Sequence, residues 1–339
     1  MTSFDGGREG TEAGNVIKPD ALRPGDTITF VTPASSVERE PMELACTRLE
    51  ETGFRVQVPD DLYRRRGYLA GTDEVRAREL MAAFCDPRVK AILPGRGGYG
   101  ITRILDQLDY AAIRANPKIL IGYSDLTALH IAIQNKAGLI TFHGPMAAGG
   151  LGSENNLTPF SAEYFWRAIL RSAYLDDAGK PTPLGYHIDV PQSVAQLRTL
   201  RPGVARGRLT GGNLALIVAV MGTEYEIDTK GRILFIEDID ERPYRIDRCL
   251  SQLKLADKLN GVAGVILGQF TGCDPLEGKP SLTLDEVFDD YFGGLDVPVI
   301  ANFPAGHVDD NATLPMGGLV ELDAHRGRLT LLENPVNID

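Results

Sequence analysis

The sequence has few cysteines, no long apolar run and a deficit of positive charge. Its four cysteines include no C-x-x-C pair, which disfavours a zinc ribbon or a dithiol redox site. No stretch of about 18 apolar residues occurs, so the sequence predicts no membrane span. With 35 Lys and Arg against 46 Asp and Glu, the net charge is −11, which argues against a surface of clustered cations that binds phosphates or anionic lipids. We therefore expect neither a nucleic-acid partner nor a membrane surface.

The N-terminal segment also lacks the apolar stretch of a signal peptide. Residues 1–18 are rich in Gly, Glu, Thr and Ser, which is typical of a disordered tail on a cytoplasmic protein. The length of 339 residues predicts about two domains. We place the tail at 1–20, an N-terminal domain at 21–170, a crossing segment at 171–202 and a C-terminal domain at 203–339.

Short apolar strands alternate with helical patterns in the first half of the chain. The predicted strands are 26–31, 54–58, 89–93 and 118–121, and the predicted helices are 40–51, 73–85, 101–108 and 125–136. This alternation predicts an α/β fold with a parallel sheet, in which ligands bind beyond the carboxyl ends of the strands. The loops that follow Val31, Leu93 and Ile121 are therefore the places to look for a site.

The second half opens with a segment that has no long helical period. Residues 176–202 are rich in Pro and polar side chains, and we interpret them as the crossing between domains, with short edge strands. The predicted strands that follow are 232–236, 262–267, 297–301, 318–322 and 328–332, and the predicted helices are 214–221, 244–255 and 284–292. The second domain is therefore expected to be rich in strands.

Residues 119–126, Ile-Leu-Ile-Gly-Tyr-Ser-Asp-Leu, lead from a predicted strand into a predicted helix. Ser124 lies on the turn between them, where a hydroxyl can point into a crevice while the following amides face an oxyanion. This is the arrangement of a nucleophile elbow, although Asp125 replaces the second glycine of G-x-S-x-G. A serine in this place could equally serve only as a helix cap. The segment by itself leaves both roles open.

A serine nucleophile needs a base and an acid that orients the base. Among the five histidines, His307 follows the predicted strand 297–301 in a loop that contains Gly and Pro. Glu237 directly follows the apolar strand 232–236, where a carboxylate could fix a histidine tautomer. Each residue has an ordinary alternative, as a surface histidine or a solvated strand end. Because Ser124, Glu237 and His307 all follow predicted strands, we expect them to form one site.

Residues 93–100, Leu-Pro-Gly-Arg-Gly-Gly-Tyr-Gly, match the pattern G-x-G-x-x-G and raise dinucleotide binding as a rival function. The acidic residue that would bind a ribose at the end of the next strand is missing, and the loop follows the third strand instead of the first. In a peptidase, the bare backbone would approach the scissile carbonyl, and an amide near Gly98 would form half of an oxyanion hole. A nucleotide- or sugar-binding module without catalysis is the alternative.

A second glycine pair, Gly211-Gly212, precedes Asn213 at the start of a predicted helix. The Asn213 amide could hydrogen-bond a peptide substrate, or it could only cap that helix. The sequence is compatible with both roles.

Five motifs, in this order, resemble those of the LD-carboxypeptidase family of serine peptidases, which also contains the microcin C self-immunity peptidases. They are RGGYG at 96–100, GYSD at 122–125, GGNL at 211–214, FIED at 235–238 with Glu241 and YRIDR at 244–248 close behind, and GH at 306–307. The resemblance covers about residues 22–332. The segment 237–245 looks closer to the carboxypeptidase branch than to the microcin branch.

The resemblance implies a flavodoxin-like N-terminal domain that carries the nucleophile and a smaller, β-rich α/β C-terminal domain that carries the acid and base. Ser124 would be the nucleophile, His307 the general base and Glu237 its orienting partner, with the Gly98 and Asp125 amides as the oxyanion hole. No metal ion and no cofactor are implied, and the family is typically dimeric.

The resemblance also implies a small peptide substrate. The carboxypeptidase branch releases the terminal D-alanine from murein tetrapeptides during cell-wall recycling, and a microcin-type amidase that cleaves peptidyl or aminoacyl nucleotides is the alternative. Arg96 is a candidate for binding the substrate carboxylate, and Glu241 for binding an amine. The expected substrate contacts are Arg96, Gly97, Tyr99, Gly211, Gly212, Asn213 and Glu241.

Overall fold

The first half of the chain alternates strands and helices. The computed structural model describes residues 16–155, 157–182 and 185–338. Its first ten elements are β1 (Thr27–Val31), α1 (Arg39–Glu51), β2 (Arg55–Gln57), α2 (Asp73–Cys85), β3 (Val89–Pro94), α3 (Tyr110–Ala115), β4 (Ile119–Gly122), α4 (Leu126–Lys136), β5 (Thr141–His143) and α5 (Pro159–Ile169). Two of these strands, β3 and β4, are buried along nearly their whole length, as expected of parallel strands covered on both faces.

Five of these strands form a parallel sheet in the order β2-β1-β3-β4-β5. This strand order is the flavodoxin-like arrangement, in which ligands bind at the carboxyl edge of the sheet. The predicted flavodoxin-like domain is therefore confirmed. The loops after β3 and β4 leave the sheet side by side, because these two strands are neighbours.

The second half builds a larger mixed sheet. The elements of this half of the chain are β6 (His187–Ile188), β7 (Arg198–Arg201), β8 (Val204–Asn213), α6 (Leu214–Ala219), β9 (Ile233–Ile239), α7 (Pro243–Leu255), β10 (Gly264–Thr271), α8 (Leu284–Phe292), β11 (Val299–Ala301), β12 (Leu314–Met316), β13 (Leu319–Asp323) and β14 (Arg328–Leu331). Eight of these strands pair in the order β6-β14-β13-β8-β9-β10-β11-β7. The expected β-rich domain is confirmed, and β6 and β7 of the crossing segment lie at its two edges, as predicted.

One strand from the second half joins the first sheet. β12 pairs antiparallel with β5, with Leu314 opposite His143. The predicted boundary at residue 203 therefore does not separate two independent sheets. Because His307 lies shortly before β12, this pairing brings its loop to the edge of the sheet that carries Ser124.

The predicted tail at 1–20 includes five residues, 16–20, that the structure places in the fold. Residues 1–15 of that tail lie outside the described residues. The next five residues, however, pair with the folded chain: the Ile17 amide donates to the Gly138 carbonyl at 2.8 Å, and Asp20 forms a bridge with Asn337. These backbone hydrogen bonds make residues 16–20 part of the fold.

The predicted helix at 101–108 is also wrong. The chain makes two 3₁₀ turns, Ile101–Arg103 and Leu105–Gln107, before α3 begins. The Asp109 side chain accepts a hydrogen bond from the Ala112 amide and so starts a separate helix at Tyr110.

Of the helices in the described ranges, none is long and apolar enough to cross a bilayer.

Candidate active site

Ser124 occupies a strained turn between β4 and α4. Its φ of 64° lies in the left-handed region, which costs an L-residue about 1–2 kcal/mol. Asp125 is the N-cap position of α4, and no side-chain cap hydrogen bond forms there. Among the residues that the structure describes, the Ser124 hydroxyl makes no hydrogen bond, so it does not cap the helix. A strained serine with a free hydroxyl is the geometry that a nucleophile elbow requires.

The glycine loop packs directly against this turn. A methyl group built on Gly97 would lie 2.9 Å from Ser124 Cβ and 3.1 Å from both Ser124 Oγ and the Asp125 nitrogen. Any side chain at Gly97 would therefore press on the serine. The loop is fixed on its other side by Ser35, whose amide donates to the Gly97 carbonyl at 3.3 Å and whose hydroxyl accepts from the Tyr99 amide at 3.2 Å.

Two backbone amides beside the serine have no acceptor in the described part of the chain. They belong to Gly98, which has a φ of 102°, and to Asp125, the residue after Ser124. Amides without an acceptor suit a developing oxyanion, and that of Asp125 also lies at the N-terminus of α4. These are the two amides that the sequence predicted for that purpose.

The Asp125 carboxylate explains why an acid follows the serine. Its Oδ2 accepts a hydrogen bond from the Ile101 amide at 2.9 Å, and the side chain is 1% exposed. Burial raises the pKa of Asp125 to about 6. The carboxylate thus ties the end of the glycine loop to the serine turn.

The predicted base and acid are hydrogen-bonded to each other. His307 Nδ1 lies 2.7 Å from Glu237 Oε2, and the Glu237 side chain is fully buried at the carboxyl end of β9. Burial acts to raise the pKa of Glu237, but the hydrogen bond with His307 and the proximity of His143 outweigh this and lower it. Glu237 is therefore an ionised carboxylate that fixes the orientation of the His307 ring. Gly306, with a φ of 121°, leaves room for that carboxylate, because a methyl group there would lie 2.7 Å from Oε2.

Tyr123 links the serine turn to the histidine. Its ring contacts the His307 ring edge-on, with centroids 4.9 Å apart. No hydrogen bond joins Ser124 to His307 in the described structure. Such bonds are often long without substrate and shorten in the complex. Sequence reasoning gave Tyr123 no role, although it directly precedes the serine.

His143 is a second residue that sequence reasoning missed. It is fully buried at the end of β5, and its Nε2 lies 3.9 Å from Glu237 Oε1. That separation exceeds hydrogen-bond length, so the contact is electrostatic. The signal in the sequence was a polar residue at the end of a short apolar strand, but the strand itself was not predicted.

A cavity of about 460 Å³ opens beside the histidine, and its lining includes Tyr123, His307 and Asp309. Thr158, which also lines it, donates a hydrogen bond from its hydroxyl to Asp310 Oδ1 at 2.6 Å. A volume of roughly 300–1,000 Å³ is usual for small-molecule sites. The cavity therefore has room for a short peptide next to the reacting groups.

The other predicted substrate contacts fall into two groups. Arg96 and Tyr99 are exposed on the glycine loop, and within the described ranges Arg96 makes no ion pair. Glu241, in contrast, lies 3.3 Å from the Arg245 guanidinium. Arg96 is therefore available to an incoming anion, whereas Glu241 already has a cationic partner.

The segment Gly211-Gly212-Asn213 lies beside the acid. It ends β8, and Asn213 pairs in register with Glu237 of β9. The Asn213 side chain accepts from the Leu216 amide at 3.2 Å and donates to Asp238 at 3.0 Å. Its amide thus caps α6 and orients Asp238, and the contact with a substrate stays a prediction.

The described ranges hold no group of three or more His, Cys, Asp or Glu side chains arranged to bind a metal ion. The chemistry that the arrangement supports is acyl transfer through a serine, a histidine and a carboxylate.

Comparison with known proteins gives matches over both halves of the chain. Residues 28–144 match the model of the LD-carboxypeptidase N-terminal domain, and residues 206–322 match that of the LD-carboxypeptidase C-terminal domain. The chain is 40% identical over 300 residues to a probable murein peptide carboxypeptidase of Bacillus subtilis (strain 168), which covers 88% of this chain and 89% of that protein.

Two solved structures share the whole architecture. The microcin C7 self-immunity protein MccF in its wild-type apo state superimposes with a TM-score of 0.85 at 27% identity, covering 95% of this chain and 100% of that one. The muramoyltetrapeptide carboxypeptidase of Oxalobacter formigenes gives a TM-score of 0.77 at 29% identity, covering 90% and 97%. With both domain models matched in order, the chain belongs to the LD-carboxypeptidase family of serine peptidases.

Proposed function

We propose that this protein is a serine carboxypeptidase that releases the terminal D-alanine from murein tetrapeptides. The observation that carries the proposal is the buried Glu237–His307 pair, 2.7 Å apart, packed through Tyr123 against the strained Ser124 turn. The relative named as a murein peptide carboxypeptidase and the structure named as a muramoyltetrapeptide carboxypeptidase support the substrate class.

In the proposed mechanism, His307 takes the proton of Ser124 as the hydroxyl attacks the carbonyl before the D-residue. Glu237 holds the Nδ1–H tautomer and stabilises the imidazolium that forms. The amides of Gly98 and Asp125 receive the oxyanion, at about 3 kcal/mol per donor. D-Alanine leaves with the proton from His307, and water then hydrolyses the acyl-enzyme.

Arg96 is the proposed partner of the terminal carboxylate, because it stands on the glycine loop beside the serine and has no ion pair within the described residues.

We place the reaction in cytoplasmic peptidoglycan recycling and the protein in a homodimer. Light scattering at twice the chain mass would test the dimer, and a monomer across the working concentration range would contradict it.

The direct test is to incubate the purified protein with L-Ala-γ-D-Glu-meso-diaminopimelate-D-Ala and to measure D-alanine with a stereospecific assay. We expect release of one D-alanine per peptide and a tripeptide product. The matched control is the same peptide ending in L-alanine, which places the methyl group of the leaving residue on the opposite side. Cleavage of neither peptide, or equal cleavage of both, would refute the LD-specific function.

Replacing Gly97 with alanine should reduce kcat by about 10²–10³-fold, the cost of one lost oxyanion donor. The new methyl group would lie 3.1 Å from the Asp125 nitrogen and the Ser124 hydroxyl, so it displaces the reacting carbonyl from that amide. Steady-state kinetics on the tetrapeptide would measure the loss. Gly294→Ala is the control, because Gly294, like Gly97, has no positive φ but has open space around it; a loss of the same size there would show that crowding at the serine is not responsible.

A microcin-type amidase is the second candidate, favoured by the TM-score of 0.85 to MccF. That protein was solved with aspartyl sulfamoyl adenosine, an aminoacyl nucleotide analogue. Hydrolysis of this compound by the present protein, together with no release of D-alanine from tetrapeptide, would replace the first proposal with the second.

A further inference from the structure

His143 is a buried histidine that the mechanism above does not use. It ends β5, opposite Gly122 of β4, and its side chain is fully buried. Within the described residues, neither of its ring nitrogens has a hydrogen-bond partner. Leaving a buried polar group unpaired is unfavourable, so this histidine needs a physical reason to be there.

The group that His143 faces is the free oxygen of Glu237. His143 Nε2 lies 3.9 Å from Glu237 Oε1, which is itself buried and, in this part of the chain, without a hydrogen-bond partner. The other oxygen, Oε2, is bonded to His307 at 2.7 Å. The carboxylate therefore stands between two histidines, one at each oxygen.

Aromatic packing fixes the His143 ring in this direction. The Phe235 ring meets it edge-on at a centroid distance of 4.9 Å, and Tyr123 lies tilted at 5.9 Å. Tyr123 also contacts His307 at 4.9 Å. The same tyrosine thus packs against both histidines that flank Glu237.

His130 shows how a histidine in the same core is ordinarily satisfied. Its Nε2 lies 2.7 Å from the Gly122 carbonyl and its Nδ1 lies 2.8 Å from the Thr141 hydroxyl. Burial lowers the pKa of His130 to about 3, so the ring is neutral and both nitrogens are used. His143 lies on β5, two residues after Thr141. It has no such partners among the described residues and faces a carboxylate instead.

We propose that His143 is a positioning residue for the acid of the triad and that its Nε2–H donates to Glu237 Oε1 across a gap that a shift of about 1 Å closes. This donor would direct Oε2 toward His307 and stabilise the carboxylate charge while His307 is neutral. The inference deepens the proposed function and rests on it for its catalytic consequence.

The pH dependence follows from the charges around Glu237. The titratable groups that act on it come from four elements: His307 after β11, His143 on β5, Tyr123 after β4 and Asp238 on β9 itself. Besides burial, His143 also acts to lower the pKa of His130 on α4. When His307 is charged, its imidazolium stabilises the Glu237 carboxylate even without the His143 donor. When His307 is neutral, the carboxylate depends more on that donor, so removing His143 destabilises the state with neutral His307 most. The Glu237–His307 pair should then hold its proton to higher pH.

The test compares His143→Leu and His143→Gln by NMR titration of labelled histidine rings in the substrate-free protein. We expect the midpoint of the His307 ring signal to move up by about 0.5–1 pH unit in His143→Leu. In His143→Gln the midpoint should return toward the wild-type value, because that amide can donate from near the Nε2 position. His143→Asn, whose shorter amide stops short of Glu237, is a second loss variant if the leucine protein does not fold.

Kinetics on the tetrapeptide give the catalytic consequence. The loss variants should lower kcat by about tenfold or more, with KM within about twofold, and should move the acid limb of the pH profile upward. His130→Leu is the matched control, since it removes a neighbouring buried histidine that does not face Glu237; it should lower stability and leave the acid limb in place.

An unmoved His307 midpoint in a folded loss variant would overturn the proposal, because a purely structural histidine predicts lost stability without that shift. The titration needs no substrate. A wild-type protein that releases no D-alanine would therefore refute the proposed function, while the titration would still decide whether His143 acts on Glu237.

Discussion

Ser124→Ala should lower kcat for D-alanine release by about 10⁴–10⁶-fold, the range seen when a serine peptidase loses its nucleophile. The hydroxyl has no hydrogen-bond partner among the described residues, so alanine removes a reacting group and no contact of the fold. We therefore expect the free energy of unfolding to change by less than about 0.5 kcal/mol. Kinetics and denaturant unfolding of the same preparation would measure the two quantities.

The stability measurement separates the nucleophile from a helix cap. If Ser124 capped α4, alanine would cost about 1 kcal/mol of stability and spare most of the activity. Ser124→Gly is the matched variant: it is equally inactive, but glycine tolerates the φ of 64°, so it should be about 1 kcal/mol more stable than the alanine variant. Activity close to wild type in either variant would return Ser124 to a structural role.

Much of the site could be predicted because its residues follow buried strands that are visible in the sequence. Glu237 stands at the end of the apolar run of β9, and His307 follows β11. An apolar run that ends in a polar residue is a local signal, and parallel strands bring such ends to one edge. The hydrogen bond between Glu237 and His307 is the outcome of that arrangement.

What the sequence could not predict depends on long-range pairing. β5 and β12 have three residues each, and they pair across about 170 positions of the chain, which leaves no local period. Pro315 within β12 argues against a strand and is tolerated because β12 lies at the edge of the sheet. Since β5 was not predicted as a strand, His143 at its end was not predicted as a neighbour of Glu237.

Asp125 shows a different limit of prediction from the sequence. In the sequence it was notable as the absence of the second elbow glycine. In the structure its carboxylate accepts from the Ile101 amide at 2.9 Å and so anchors the glycine loop. The substitution of Asp for Gly therefore adds a contact that a glycine elbow lacks, and only the folded position of Ile101 reveals it.

Glu237→Gln should lower kcat by roughly 10⁴-fold, which is the cost of the equivalent change in a Ser-His-Asp protease. The amide has nearly the same shape, so the cavity and packing stay intact. It carries no charge to stabilise the imidazolium, and its NH₂ group can donate to His307 Nδ1. That bond would place the proton on Nε2, the nitrogen that must accept the proton of Ser124.

Asp238→Asn is the matched control for this change, because the two acids are adjacent on β9 and both are buried. Asp238 accepts from Asn213 at 3.0 Å and from the Ala215 amide at 3.0 Å, and no hydrogen bond joins it to His307 within the described chain. Burial raises its pKa to about 6. We expect Asp238→Asn to alter the unfolding free energy while keeping kcat within about tenfold of wild type. Equal losses of kcat in both variants would mean that this strand end needs negative charge in general, and that Glu237 does not act through His307.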